Sequence, residues 1–233
     1  MFSHVIKAEI SAVRLLFGNR FTLLLLVMIY GALLGAGYLF VSTREATIVQ
    51  LVVTLALILV TPALFFALQA VSVNYVSSPS GFKKAAFDGL RLIIVSVPLI
   101  ALTALAFYGL GKIDSHQTIV VAVRYLLVAV IAPLLAIQLW GAASRDGLSQ
   151  LLQRLHHLAI RAFAPQSVFV YACGLLLFAV APYFLIFHTT QTERAWLEVS
   201  LLTVRLAASA LLILFGWVTT VGTLSILSQQ QQR

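Results

Sequence analysis

Charge is what this sequence most conspicuously lacks. Of 233 residues only 9% are charged and seven are acidic, where an ordinary soluble domain carries roughly 25% charged residues. Hydrophobic residues make up 61%. A soluble fold of this length keeps too much surface in water to hide so much apolar side chain, so a soluble globule is excluded. The single cysteine, Cys173, excludes an intramolecular disulfide. The few carboxylates lie in loops or near the ends of apolar runs. They form neither the acidic cluster of a metal-dependent headgroup transferase nor the intramembrane pair or lone carboxylate that proteolysis or proton coupling uses. HExxH, GxSG and GxxxxGK[ST] are all missing. His156 and His157 are adjacent, so they diverge on a helix, and no third ligand accompanies them; a metal site needs three or four. The expectation is a protein that is not an enzyme and holds no metal or cofactor.

What is present is long apolar sequence. Six runs, Phe21–Val41, Thr47–Ser72, Leu92–Gly111, Thr118–Gly141, Val168–Phe187 and Trp196–Leu227, are each long enough to cross roughly 30 Å of hydrocarbon. They are continuously apolar rather than alternating, which predicts helices and not the strands of a barrel. The first run follows Lys7, Arg14 and Arg20 but is longer than a signal-peptide core, so it reads as an uncleaved anchor. With the N-terminus inside, ten Lys and Arg fall on the cytoplasmic side and three (Arg44, Lys112, Arg194) on the other. This predicts cytoplasmic termini in a bacterial inner (plasma) membrane by the positive-inside rule. The +8 net charge is spread over short loops and does not form one solvated face, which argues for anionic lipid and against nucleic acid as partner.

The runs also suggest repetition. "TIVQLVVTLALILVTPALFFAL" (47–68) lies over "TIVVAVRYLLVAVIAPLLAIQL" (118–139), pairing Thr47 with Thr118 and Pro62 with Pro133. "VRYLL" (123–127) lies over "VRLAA" (204–208), pairing Arg124 with Arg205. Basic segments precede each pair of runs: "HVIKAEISAVRLLFGNR" (4–20), "GFKKAAFDGLR" (81–91) and "LSQLLQRLHHLAIRAFAPQ" (148–166). In the third, Leu151, Leu155 and Leu158 fall mainly on one helical side, away from Arg154, His157 and Arg161, as in a helix lying at a membrane interface. Lys83, Lys84, Arg91, Arg154 and Arg161 are the expected cytoplasmic contacts to anionic headgroups. The predicted fold is an all-α, single-domain polytopic membrane protein of three helical hairpins, about 1–76, 77–147 and 148–233, each introduced by an amphipathic segment. This layout, with stretches such as "FKKAAFDGLRLII", resembles the bacterial six-span family that forms the membrane domain of some glycerophosphodiester phosphodiesterases and occurs as related stand-alone membrane proteins. The resemblance implies no catalytic residue here, because hydrolysis in such fusions belongs to a separate soluble domain.

Two arginines fall within the runs. Arg124 lies roughly 8 Å and Arg205 roughly 13 Å from the outer boundary at the helical rise. Each reads either as an anchor that snorkels to outer phosphates or as the ligand of an anionic headgroup or solute, which a guanidinium binds with two parallel hydrogen bonds. Pairing with Glu198 or Glu193 is a third option. Pro62, Pro98, Pro133 and Pro182 are expected to kink their helices. Gln69, Asn74 and Gln138 suit interhelical hydrogen bonds, and "GALLG" (31–35) has the spacing of a close helix contact. Two functions follow: a non-catalytic membrane subunit or scaffold that contacts lipids and partner membrane proteins or its own copies, or a transport component binding an anionic lipid or solute. Transport predicts Arg124 and Arg205 converging on one cavity; a scaffold predicts them apart.

Overall fold

A computed structural model of the chain describes residues 2–43, 47–77, 81–113, 118–146, 151, 155–188 and 194–230. All regular structure among them is helical. Helix α1 (Phe2–Gly18) is followed by Asn19, whose side chain accepts from the Thr22 N–H at 3.2 Å and so starts α2 (Arg20–Ser42). A capping box opens α3 (Ile48–Asn74): Thr47 accepts from the Gln50 N–H, and the Gln50 side chain accepts from the Thr47 N–H. Next come α4 (Phe82–Ile113) and α5, in which Thr118–Leu126 and Ala132–Asp146 are joined by a π-helical turn at Leu127–Ile131. The short α6 (Leu155–Ala162) leads to α7, made of Pro165–Leu175, a π turn at Leu176–Val180, and Ala181–Phe187. Pro165 occupies the first turn of α7, where its missing N–H costs nothing. The last helix, α8, is Ala195–Gln230. Helices α2, α3, α4, α5, α7 and α8 are long and apolar enough to cross a membrane.

The packing is uneven along the helices. In α3 only Thr54 and Leu57 are buried in the first half, whereas Phe66 and then Leu68 through Asn74 are all buried. The same end of the molecule collects Ala85, Asp88, Leu92 and Ser96 of α4, Leu134 to Ala143 of α5, and most of Leu214 to Ser228 of α8. Helix α1 packs along α8 there. At the distal end the helices are largely exposed: Ile48 is 83%, Leu59 75% and Ile119 75% accessible.

Small residues and hydrogen bonds explain why the base is tight. In an apolar solvent helices gain little from burying apolar side chains, so they associate through close backbone approach and polar contacts. Gly89 of α4 lies against α3, where an added Cβ would sit 2.9 Å from the Ala67 nitrogen. Gly174 of α7 receives the Thr220 side chain, and Gly222 of α8 receives the Tyr75 ring and hydroxyl. Trp140 Nε1 donates to Ser96 Oγ at 2.8 Å, Trp217 Nε1 to Gln69 Oε1 at 2.7 Å, and Asn74 Nδ2 to Asp88 Oδ2 at 2.9 Å. Arg145 joins α5 to α8 by donating to Ser228 Oγ at 3.1 Å.

Three expectations are corrected. The segment "FKKAAFDGLR" is not a separate interfacial helix; it is the first part of α4, which runs unbroken into its apolar stretch. Nothing before Pro98 interrupts it, and Gly89 is held by its contact with α3. Part of the apolar surface of α1 and α6 packs on protein, with Val5, Ala8, Leu158 and Ala162 in the main core cluster and Leu16 in the second, while Ile6, Ile10, Phe17 and Ile160 stay exposed. Leu155, placed on the same side, is instead exposed. Finally, among the described residues no atom of a neighbouring helix lies within 4 Å of a Cβ built on Gly31, Gly35 or Gly37, so "GALLG" makes no close helix contact there.

The four prolines fall into two kinds. Pro62 and Pro98 sit inside uninterrupted α-helix. Pro133 and Pro182 each follow a π turn, in which the Ala132 N–H bonds to the Leu127 carbonyl and the Ala181 N–H to the Leu176 carbonyl, five residues back. Proline cannot donate to the carbonyl four residues earlier, and for Pro133 that carbonyl is Ala129. The Tyr171 hydroxyl of α7 fills the gap, donating to Ala129 O at 2.7 Å. Tyr171→Phe is therefore expected to cost about 1 kcal/mol, the scale of an interhelical hydrogen bond in membranes, read as a lower melting temperature in detergent. No change in melting would show that water or backbone already satisfies Ala129.

Candidate functional site

Where the helices diverge above the base they line an open cavity of about 880 Å³, within the roughly 300–1,000 Å³ of small-ligand sites. All six long helices line it: Tyr30 and Leu33 from α2, Phe65 to Gln69 from α3, Ser96 to Phe107 from α4, Tyr125 to Trp140 from α5, Phe178 from α7, and Ile213 to Trp217 from α8. Its floor is aromatic. Trp140 packs edge-on against Phe65 and Phe66, and Trp217 edge-on against Phe178 at 5.2 Å between centroids.

The polar atoms of this wall are mostly spent on one another. Both indole N–H groups are bonded to Ser96 and Gln69. The Thr103 hydroxyl donates to the Leu99 carbonyl of its own helix at 2.8 Å. Filling such a space with a polar solute would cost desolvation without returning hydrogen bonds, whereas hydrocarbon fits it. In its distal part α5 packs on α4 and α7 packs on α8, leaving the space between these two pairs sparsely bridged.

The arginines do not meet. Arg124 lays its guanidinium over the Phe107 ring, 3.9 Å from the centroid, a cation–π contact. The same group rests on Gly111, with 3.2 Å between Cζ and a built Cβ. Arg124 is half-buried, and its enclosed Nε has no hydrogen-bond partner. Phe107 and Tyr125, the residue after Arg124, line the cavity; the guanidinium itself is not part of its wall and adjoins it through the Phe107 ring. Arg205 donates through Nη1 to the His188 carbonyl at the end of α7, where a cation complements the helix dipole. It borders a separate pocket formed with Tyr183, Phe184, Phe187 and His188.

Among the other expected site residues, Lys83 and Lys84 are exposed at the start of α4 and Arg91 lies 5.7 Å from the Phe87 ring centroid. Arg161 is half-buried at the end of α6, and Arg154 lies outside the described residues. Pro133 lines the cavity, Pro182 is buried, and Pro62 and Pro98 are exposed. Gln69 and Asn74 make the interhelical bonds their polarity predicts. The residues missed by sequence reasoning are the aromatics of the cavity. One signal for them existed: Trp140 and Trp217 lie away from the distal boundary that Trp196 marks, and a buried indole N–H needs a partner.

The chain matches no protein-family model, no curated protein and no solved structure.

Proposed function

We propose that this protein is a non-catalytic integral membrane protein that holds the hydrocarbon of a membrane amphiphile among its six long helices, and so acts as a lipid-interacting scaffold or subunit. The cavity carries this reading: its size, its apolar wall and its internally paired polar groups all favour an acyl or similar chain. The basic residues support an orientation with the base in the cytoplasm, since Lys7, Arg14, Arg20, Lys83, Lys84, Arg91 and Arg145 gather there. In that orientation both termini are cytoplasmic, as in a bacterial inner-membrane protein of three hairpins like the six-span family it resembles. A transporter in which both arginines grip one permeant has less support, because Arg124 stacks on Phe107 of the main cavity while Arg205 lines a separate pocket.

Native mass spectrometry of gently extracted protein tests the reading. Wild type is expected to retain lipid at a fixed stoichiometry, and Ala104→Trp, which places an indole in the cavity, is expected to lose at least one equivalent while keeping its elution volume and helicity. Equal lipid retention by a folded Ala104→Trp would overturn it.

A further inference from the structure

We infer that the amphiphile is anionic, that its phosphate is recognised by Arg124, and that it enters from the leaflet at the distal end. The inference rests on the lipid-binding reading above and names the ligand class of that same cavity.

Arg124 combines three properties that a simple anchor does not need. It is fixed in place, stacked on Phe107 and seated against Gly111, where a side chain would displace it. Its enclosed Nε lacks a hydrogen-bond partner, and no carboxylate among the described residues neutralises the guanidinium. And Phe107, the ring beneath it, is itself part of the cavity wall. A chain lying between Trp217 and Phe107 would therefore bring its headgroup to the guanidinium. The planar fork of arginine matches the paired oxygens of a phosphate, and stacking removes much of the entropy cost of holding it. Arg205 provides the internal contrast: it caps the end of a helix and lines a separate pocket, whereas Arg124 stacks on a ring of the cavity wall. Phosphate on a glycerolipid and phosphate on a polyprenyl chain present the same chemistry to this site.

The two cavity tryptophans provide the assay. In a Trp196→Phe background the remaining indoles are Trp140 and Trp217, both on the cavity floor. The protein is reconstituted into vesicles containing phosphatidylglycerol or phosphatidylethanolamine with brominated acyl chains, which quench tryptophan on contact. Half-maximal quenching is expected at about tenfold lower mole fraction for the anionic lipid, the equivalent of one charge-assisted hydrogen bond. Arg124→Gln is expected to erase the preference and Arg124→Lys to restore part of it. Recovery of fluorescence on adding polyprenyl phosphate identifies the prenyl source; recovery only with unbrominated phosphatidylglycerol identifies the glycerolipid, and either result supports an anionic ligand. Equal quenching by both brominated lipids in the Trp196→Phe protein would overturn the anionic assignment while leaving the cavity reading intact. A preference that survives Arg124→Gln would remove Arg124 from the site. No quenching by either lipid would overturn the cavity reading itself.

Discussion

Gly222→Leu is expected to destabilise the base by about 3 kcal/mol or more, whereas Gly31→Leu stays within about 0.5 kcal/mol of wild type. Both substitutions put the same side chain into an apolar helix, so propensity and lipid affinity cancel in the comparison. What differs is the surroundings. A Cβ on Gly222 would overlap the Tyr75 hydroxyl and ring, while among the described residues no atom of a neighbouring helix lies within 4 Å of one on Gly31. Tyr75 cannot easily yield. It is 6% exposed, packs with Leu25, Val71 and Val218, and its hydroxyl faces the Val218 carbonyl at 3.5 Å. Its backbone N–H is bonded to the Val71 carbonyl, which fixes it at the end of α3. Thermal unfolding in one detergent, followed by size exclusion, reads both variants. Tyr75→Ala in the Gly222→Leu background should recover part of the loss by making room. A larger destabilisation from Gly31→Leu would mean that the first long helix has a tight partner after all.

Asn74→Leu is expected to cost about 3 kcal/mol, and Asp88→Asn much less. Asp88 is 8% exposed and accepts from Asn74 Nδ2 at 2.9 Å across the α3–α4 contact. Leucine in place of Asn74 removes the donor and leaves a buried carboxylate without it, which is far costlier than losing a neutral pair. Asn at 88 keeps an acceptor for the Asn74 amide. The Asn74→Leu/Asp88→Leu double variant should therefore be more stable than Asn74→Leu alone, because it removes the orphan along with the donor. Chemical unfolding of wild type, Asn74→Leu, Asp88→Leu and the double variant gives the coupling directly; strict additivity would contradict a direct pair.

The six long helices were readable because composition alone decides them: an apolar run of this length has no stable alternative in water. Their ends were less so. "FKKAAFDGLR" looks like an interfacial segment by charge, and only the contacts of Gly89 and Asp88 with α3 reveal it as the root of α4. Packing faces were hardest to read, for a physical reason. Lipid and protein core are both apolar, so exposed Leu59 and buried Leu68 leave no difference in the pattern. That is why spacing pointed to Gly31 and Gly35, whereas contact chose Gly174 and Gly222. The intramembrane arginines were visible at once, since a charge there is costly wherever it points. Their division between a ring of the cavity wall and a helix end depends on Phe107 and His188, which no spacing rule connects to them.

The most direct measurement is the density within the six-helix cavity in an electron cryo-microscopy map of the protein in native lipid nanodiscs. The expected result is a continuous hydrocarbon-shaped density running from Trp140 and Trp217 toward Phe107, ending in a headgroup beside Arg124. A cavity closed by the distal helices packing on one another, with no such density, would contradict the account.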